Sequence, residues 1–174
     1  MKRIAIIGEN SLKYIDILLS IWNADDCAVL IDWWIPLVSA IEMMTETNVE
    51  LCYIDERNYN ENWISAKIKF IPYKCSSKSI EILPSFFYEK FTEKYNKNEA
   101  VIVFSSGTTG KSKGIILSHY AINKNADAII KYMNLGDKDV LYIIKSFSHS
   151  STLTGELLVA LKTNIKPKIK WLYK

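Results

Sequence analysis

Ala100-Val-Ile-Val-Phe-Ser-Ser-Gly-Thr-Thr-Gly-Lys-Ser-Lys-Gly-Ile-Ile-Leu-Ser-His119 is the stretch that decides the fold. It begins with the apolar run 101–104, which is typical of a buried strand, and continues into a segment of Ser, Gly, Thr and Lys. Glycines let backbone N–H groups approach an anion closely, and hydroxyl and ammonium groups add further donors. The segment therefore predicts a loop that binds polyphosphate.

Two other interpretations of this loop have to be weighed. Residues 105–112 come close to the Walker-type pattern G-x-x-x-x-G-K-[ST], in which Lys111 would hold the β- and γ-phosphates and Ser112 the magnesium. That geometry needs a helix at the lysine, whereas Gly114 and the β-branched pair after it favour a strand. Ser118 is a suitable helix N-cap, so we expect strand, loop, strand and then helix. A ligand-free surface turn is the other alternative, although a plain hairpin needs only about 2–5 loop residues.

The same segment resembles the phosphate-binding signature of the adenylate-forming superfamily, which comprises acyl-CoA synthetases, peptide-synthetase adenylation domains and luciferases. That signature is roughly [ST]-[ST]-G-[ST]-[ST]-G-x-P-K-G, followed by a short strand and often by Ser-His. In this chain its proline is replaced by Ser112, and Ser118-His119 follow the strand. The resemblance implies that ATP phosphates are bound by Ser105, Ser106, Gly107, Thr108, Thr109, Gly110 and Lys113.

Three further segments resemble the same superfamily. Residues 4–10 resemble its first strand and turn, and 28–32 resemble a strand that ends in Pro-Leu-Asp. Residues 146–155 resemble a Pro-Leu-Phe-His…Gly motif near the acyl-substrate pocket, with His149 on the histidine of the motif. This resemblance implies a substrate-pocket role for His149. His119 opens a helix, and we expect it to be structural.

The resemblance also implies an activity. Members of the superfamily activate a carboxylic acid with ATP to an acyl-adenylate, release pyrophosphate, and use Mg²⁺ as well as ATP. The implied acyl acceptor is coenzyme A or a carrier-protein thiol. Because two anions must be brought together, such catalysis depends on positioning and on electrostatic stabilisation. A non-catalytic nucleotide- or partner-binding module is the alternative from another functional class, and a P-loop NTPase is the second.

Only an early section of such an enzyme is represented. The 174 residues contain no counterpart of the later Tyr-Gly-x-Thr-Glu and Thr-Gly-Asp motifs or of the C-terminal lysine, so no catalytic residue and no metal ligand is assigned. We expect the chain to be inactive alone, as a truncated gene product or as a part completed by another polypeptide or by homo-oligomerisation. Residues 164–174, which include four lysines, are expected to form a ragged end.

Apolar runs alternate with amphipathic stretches along the chain. Strands are predicted at 3–7, 27–31, 50–54, 66–71, 100–104, 114–117 and 140–144. Helices are predicted at 11–22, 36–46, 85–95, 119–133 and 152–161. This alternation predicts an α/β fold with a mainly parallel sheet flanked by helices on both faces, as an incomplete N-terminal domain of the adenylate-forming fold. The expected divisions of this single partial domain are a first α/β unit (1–54), an irregular connection (55–99) and a phosphate-loop unit (100–174).

Composition limits the function classes. The net charge is only +3 and the lysines are dispersed, so a nucleic-acid partner is not expected. Three cysteines without patterned spacing indicate reduced thiols, two of them in buried strands, and a cytoplasmic protein. The longest apolar stretch, 28–41, is interrupted by Asp32 and Pro36 and is too short to span a bilayer. For Trp33-Trp34, core packing or an oligomer contact is favoured over a ligand-binding pair.

Overall fold

The structure is a computed structural model that describes residues 1–60, 67–75, 83–105, 112–136, 138–163 and 165–169. Its strands are β1 (Arg3–Ile7), β2 (Cys27–Ile31), β3 (Leu51–Asp55), β4 (Lys69–Tyr73), β5 (Glu99–Ser105), β6 (Lys113–Ser118), β7 (Val140–Ile143) and β8 (Lys166–Ile169). Its helices are α1 (Leu12–Asn23), α2 (Leu37–Glu46), α3 (Ser85–Lys90), α4 (His119–Met133), α5 (Ser150–Thr152) and α6 (Leu158–Thr163), the last two joined by a π-helical turn (Leu153–Leu157).

Six strands form one sheet in the order β4-β3-β1-β2-β5-β6. The first five are mutually parallel, and β6 runs antiparallel to β5. A separate parallel pair is formed by β7 and β8. The predicted mainly parallel α/β architecture is therefore confirmed, and the single antiparallel hairpin lies where the phosphate loop was predicted.

Helices cover both faces of the large sheet. One face packs against α1, α3, α4 and α6, and the other packs against α2. All five residues of β2 are buried, including Cys27, which is expected for a parallel strand covered on both sides. Cys52 in β3 is buried as well, so the prediction of two cysteines in buried strands is confirmed.

Serine N-caps mark the starts of α1 and α4. The Ser11 hydroxyl accepts a hydrogen bond from the Tyr14 N–H at 3.1 Å, and the Ser118 hydroxyl accepts one from the Ala121 N–H at the same distance. Each such cap stabilises a helix by about 1 kcal/mol. The predicted N-cap at Ser118 is confirmed, so the order strand, loop, strand and helix is also confirmed.

The C-terminal segment differs from its prediction. Residues 166–169 form β8 and pair in register with β7, so the ragged end expected from residue 164 is wrong for this part. The reason is an alternating pattern, because Ile165, Pro167 and Ile169 are buried whereas Lys168 is not. Lysines that interrupt a short apolar alternation are compatible with a strand that has one buried face.

The helix predicted at 85–95 is shorter in the structure. It ends at Lys90, and Phe91 has an extended backbone. The extended segment that follows sends successive side chains to different elements: Glu93 pairs with Lys162, and Lys94 hydrogen-bonds the carbonyl of Trp22 at 2.5 Å. Tertiary ion pairs therefore override the local helical preference. Within the described residues, no helix has the length and apolarity needed to cross a membrane.

Candidate functional site

The ends of three neighbouring strands define one edge of the sheet. Ser105 is the last residue of β5, Asp32 follows β2, and Asn10 follows β1 after a short turn. Because β1, β2 and β5 are parallel, these residues lie at the same, carboxyl edge. Ligands of open α/β sheets bind outside this edge.

The β5–β6 hairpin brings the two ends of the predicted phosphate loop together. Ser105 is the register partner of Lys113, and both residues are exposed. The remaining predicted phosphate ligands lie outside the described residues: Ser106, Gly107, Thr108, Thr109 and Gly110. The structure therefore describes Ser105 and Lys113, which flank the other residues of the predicted phosphate loop.

The Walker-type alternative is wrong. That arrangement needs a helix at Lys111, but the chain continues from Lys113 to Ser118 as β6. The next helix begins only at His119. Gly114 and the β-branched residues after it form a strand, as their side chains favour.

The segment that carries His149 is fastened to the sheet edge by Asn10. The Asn10 Nδ2 donates to the carbonyl of Lys145 at 2.7 Å, and its Oδ1 accepts from the Phe147 N–H at 2.8 Å. Asn10 is only 3% exposed, and the buried Phe147 ring packs beside Tyr14 with 5.5 Å between centroids. One amide therefore provides both a donor and an acceptor for a segment about 135 residues further along the chain.

Asp32 contacts the same segment from the neighbouring strand. Its Oδ2 accepts from the Ser148 hydroxyl at 3.3 Å and lies 3.6 Å from the His149 Nε2. Its Oδ1 accepts from the Trp34 N–H at 3.4 Å. The His149 side chain remains 57% exposed, so it is oriented from one side and open on the other.

These elements enclose a cavity of about 350 Å³. It is lined by Leu30, Asp32, Trp34, Ile35, Pro36, Phe104, Ser105, Ser112, Ser148 and His149. The cavity thus brings together one end of the phosphate loop and the predicted substrate-pocket histidine, which are far apart in sequence. Lys113 is not among its lining residues and lies on the adjoining strand.

The hydrogen-bond donors at this edge of the sheet are of the kinds that bind nucleotide phosphates. Three serine hydroxyls and an imidazole line the cavity, and an exposed lysine begins β6. A protein cage for a metal ion is absent from the described residues, because they contain no group of three or more His, Cys, Asp or Glu side chains able to hold one. Mg²⁺ commonly binds through phosphates, waters and one or two carboxylates, and this donor set is compatible with that mode.

The other histidine lies at the opposite end of β5. His119 is 3% exposed and packs its ring edge against Trp22, with 5.8 Å between centroids. Burial and the nearby Lys94 ammonium lower the pKa of His119 to about 4, so the imidazole is neutral near pH 7. The expectation that His119 is structural agrees with this position.

Asn10 and Asp32 received no role from the sequence. Both lie in segments that resemble the superfamily, but neither belongs to its phosphate signature. The signal that identifies them is positional, since each is a polar residue just after a buried strand of one parallel sheet. Their pairing with residues 145–149 is not encoded locally and needed the tertiary structure.

Comparison with known sequences decides the family. The sequence model of the AMP-binding enzyme family matches residues 1–165 of this chain. The chain belongs to the AMP-binding enzyme family. The matched range includes β1, the phosphate loop and the His149 segment, so the motifs described above lie within the family's own framework.

The relatives of this chain include a CoA ligase and a peptide synthetase. It is 27% identical to a probable CoA ligase of Humulus lupulus over 145 residues. This alignment covers 74% of the chain and 24% of the relative. It is 28% identical to nonribosomal peptide synthetase 5 of Gibberella zeae over 152 residues. This alignment covers 86% of the chain and 1% of the relative. The chain therefore spans a quarter or less of these relatives.

Solved structures share the fold. One of them is the O-succinylbenzoate coenzyme A synthetase of Bacillus subtilis, solved in complex with AMP. The superposition has a TM-score of 0.79 at 14% identity, and it covers 99% of this chain and 44% of the synthetase chain. The predicted fold, an incomplete N-terminal domain of the adenylate-forming type, is confirmed.

Proposed function

We propose that this chain forms the phosphate-binding section of an enzyme that activates a carboxylic acid with ATP to an acyl-adenylate and releases pyrophosphate. The observation that supports it is the single cavity where Ser105, at one end of the β5–β6 loop, meets His149. The thiol of coenzyme A or of a carrier protein is the proposed acceptor, in line with the CoA ligase and peptide synthetase among the relatives.

The residues divide into three groups of roles. Lys113, the Ser105 hydroxyl and the donors of Ser106, Gly107, Thr108, Thr109 and Gly110 neutralise the β- and γ-phosphates. His149 contacts the acid at the other end of the cavity. Asn10 and Asp32 are positioning residues, because they hold the His149 segment against the sheet. ATP, bound with Mg²⁺, would supply the adenylyl group to the carboxylate of the acid, and pyrophosphate would be the leaving group.

The chain spans 24% of the Humulus lupulus relative, and we propose that a further polypeptide or a second copy completes the site. Within the chain, residues 1–54 and 100–174 are the two proposed functional units, joined by 55–99. A cytoplasmic location is part of the same proposal.

Acid-dependent exchange of radiolabelled pyrophosphate into ATP tests this function. The assay uses the completed protein, that is, this chain together with the polypeptide or second copy that completes its site. Lys113→Ala should reduce the exchange strongly, whereas Lys97→Ala, which removes an exposed lysine near the start of β5, should not. Pyrophosphate binding without any exchange in the completed protein would favour the non-catalytic module. Equal effects of the two substitutions would contradict the proposed role of Lys113.

A further inference from the structure

The turn that follows β3, residues 55–59, lies at the same carboxyl edge of the sheet, although none of its residues lines the cavity. The carbonyl of Asp55 accepts from the N–H of Asn58 at 2.8 Å, which closes the turn. The Glu56 N–H donates to the carbonyl of Tyr73 in β4 at 2.9 Å. The β3 turn is therefore a compact unit that is joined to the neighbouring strand.

Arg57 connects the β3 turn to the turn between β1 and α1. Its Nη2 lies 2.6 Å from the Asp55 Oδ2 and 2.9 Å from the Glu9 Oε2, and its Nε donates to the Asp55 Oδ1 at 3.1 Å. The Asp55 side chain is 1% exposed, so charge-assisted hydrogen bonds hold the guanidinium firmly on its own turn. Glu9 directly precedes Asn10, the residue that anchors the His149 segment.

The turn between β1 and α1 is packed closely against the strands on this side. A methyl group on Gly8 would lie 2.1 Å from the Tyr73 hydroxyl and 3.2 Å from the Asp55 Cβ. The Tyr73 hydroxyl also donates to the Ile7 carbonyl at 3.4 Å. Because packing confines the turn on this side, the contact between Arg57 and Glu9 fixes where the turn places its next residue.

Asn58 connects the β3 turn to the segment after β2. Its Nδ2 donates to the carbonyl of Trp33 at 3.3 Å. Trp33 packs partly buried against the core and directly follows Asp32, whose carboxylate lies beside His149. The β3 turn therefore contacts both segments that carry the residues supporting His149, namely the segment with Asn10 and the segment with Asp32.

We propose that Arg57 and Asn58 are positioning residues, which hold the two segments whose side chains, Asn10 and Asp32, orient His149. Neither residue lines the cavity, so each acts through another side chain. The proposal deepens the proposed function and rests on it only for the role of His149 in binding the acid. Loss of either contact loosens one segment locally and leaves the rest of the fold intact.

Hydrogen exchange of single amides in the full chain, followed by NMR, tests the Arg57 contact. The Phe147 N–H donates to Asn10, so its exchange rate reports how firmly the segment is held. Glu9→Ala removes one partner of Arg57 and should accelerate this exchange about 5-fold, the change that corresponds to one such ion pair. The Val29 N–H, in the middle of the buried strand β2, should keep its rate within about 2-fold.

A matched ion pair at the opposite edge of the sheet provides the control. Glu99→Ala removes the partner of Arg3, whose Nη2 lies 2.9 Å from the Glu99 Oε1. This variant should leave the ratio of the Phe147 and Val29 exchange rates unchanged. Equal acceleration of both amides by Glu9→Ala, or acceleration of neither, would overturn this half of the proposal.

A second pair of variants tests the Asn58 contact. Asn58→Ala removes the donor to the Trp33 carbonyl, and the control Asn23→Ala removes a similar donor to the Lys90 carbonyl at 2.9 Å. Asn58→Ala should shift the imidazole NMR signals of His149, whereas Asn23→Ala should leave them in place. Unchanged His149 signals in the folded Asn58→Ala protein would contradict its positioning role.

Pyrophosphate titration of the same samples separates this inference from the proposed function. At least two strands lie between β6, which carries Lys113, and either β1 or β3, so Glu9→Ala and Asn58→Ala should bind pyrophosphate as the parent chain does. If pyrophosphate binds and neither Phe147 nor His149 responds, only the positioning role is wrong. If both respond and pyrophosphate does not bind, the positioning contacts stand and the nucleotide function fails.

Discussion

Two polar clusters tie distant parts of this chain together, and they differ in how fully their charges are paired. In the Lys162 cluster, Lys162 lies within 3.3 Å of acceptors on Glu93, Tyr95, Asp127 and Asn123, and its side chain is 5% exposed. Burial alone lowers the pKa of Lys162, but its hydrogen bonds to Glu93, Tyr95 and Asp127 outweigh burial and raise that pKa. Every donor of this ammonium is used.

The Asp32 edge, formed by Asn10, Asp32, Ser148 and His149, has the opposite character. Asn10 uses both its amide nitrogen and its amide oxygen to anchor the segment, but Asp32 has only long contacts and His149 is more than half exposed. A saturated cluster stabilises the fold and offers nothing to a ligand, whereas an anchored but unsaturated one retains binding capacity. The comparison predicts that substitutions at the two clusters separate stability from binding.

The largest effect on stability is expected from Asn10→Ala. The substitution leaves the buried Phe147 N–H and the partly buried Lys145 carbonyl without their partner, and a buried group left unpaired costs about 1–3 kcal/mol. We therefore expect a loss of about 3 kcal/mol in the free energy of unfolding, measured by urea denaturation. Ser151→Ala, which removes an exposed hydroxyl at the sheet-edge end of α5, is the control. A loss no larger than that of the control would show that Asn10 does not anchor the segment.

His119, beside the Lys162 cluster, should make stability depend on pH. Its pKa is about 4 in the folded chain and 6.5 as the ordinary value, so the unfolded chain binds more protons between these pH values. Stability should be complete above pH 6.5 and should fall towards pH 4, by up to about 3 kcal/mol from this residue. The measurement is urea denaturation across this range, with His119→Asn as the comparison. Identical pH slopes for the two proteins would contradict a buried neutral imidazole.

Lys162→Ala should destabilise the chain without affecting ligands. The substitution removes four polar contacts, but the partners Glu93 and Asp127 remain partly exposed and can be solvated, so we expect a loss of about 2 kcal/mol. Pyrophosphate affinity of the folded variant should equal that of the parent chain. A change in pyrophosphate affinity at temperatures where the variant is folded would contradict the prediction that the Lys162 cluster affects stability and not binding.

Asp32→Asn should show the smallest effect on stability. Its three contacts are long, and an amide can preserve the contact with Ser148, so we expect less than about 1 kcal/mol. A stability loss as large as that of Asn10→Ala would assign Asp32 to the structural group.

Local sequence signals were sufficient for most of the fold. The apolar run before Ser105, the β-branched residues after Gly114 and the cap at Ser118 each act within a few residues, so the hairpin and α4 could be predicted. The family signature led to the same loop. β8 was missed because lysines obscured its alternation, and α3 was predicted too long because ion pairs from Glu93 and Lys94 straighten the chain.

The site was less predictable because it is assembled from distant residues. His149 could be singled out by resemblance, but its support by Asp32 and Asn10 depends on which strands are neighbours in the sheet. The order β1-β2-β5 brings residues 10, 32 and 105 to one edge, and no local pattern encodes that order. The individual roles of the loop residues remain predictions.

Calorimetric titration of the isolated chain with pyrophosphate tests the central claim most directly, namely that the β5–β6 loop binds a polyphosphate through Lys113. The account predicts saturable binding that Lys113→Ala weakens more than Lys111→Ala does. No binding by the parent chain, or a larger loss with Lys111→Ala than with Lys113→Ala, would contradict it.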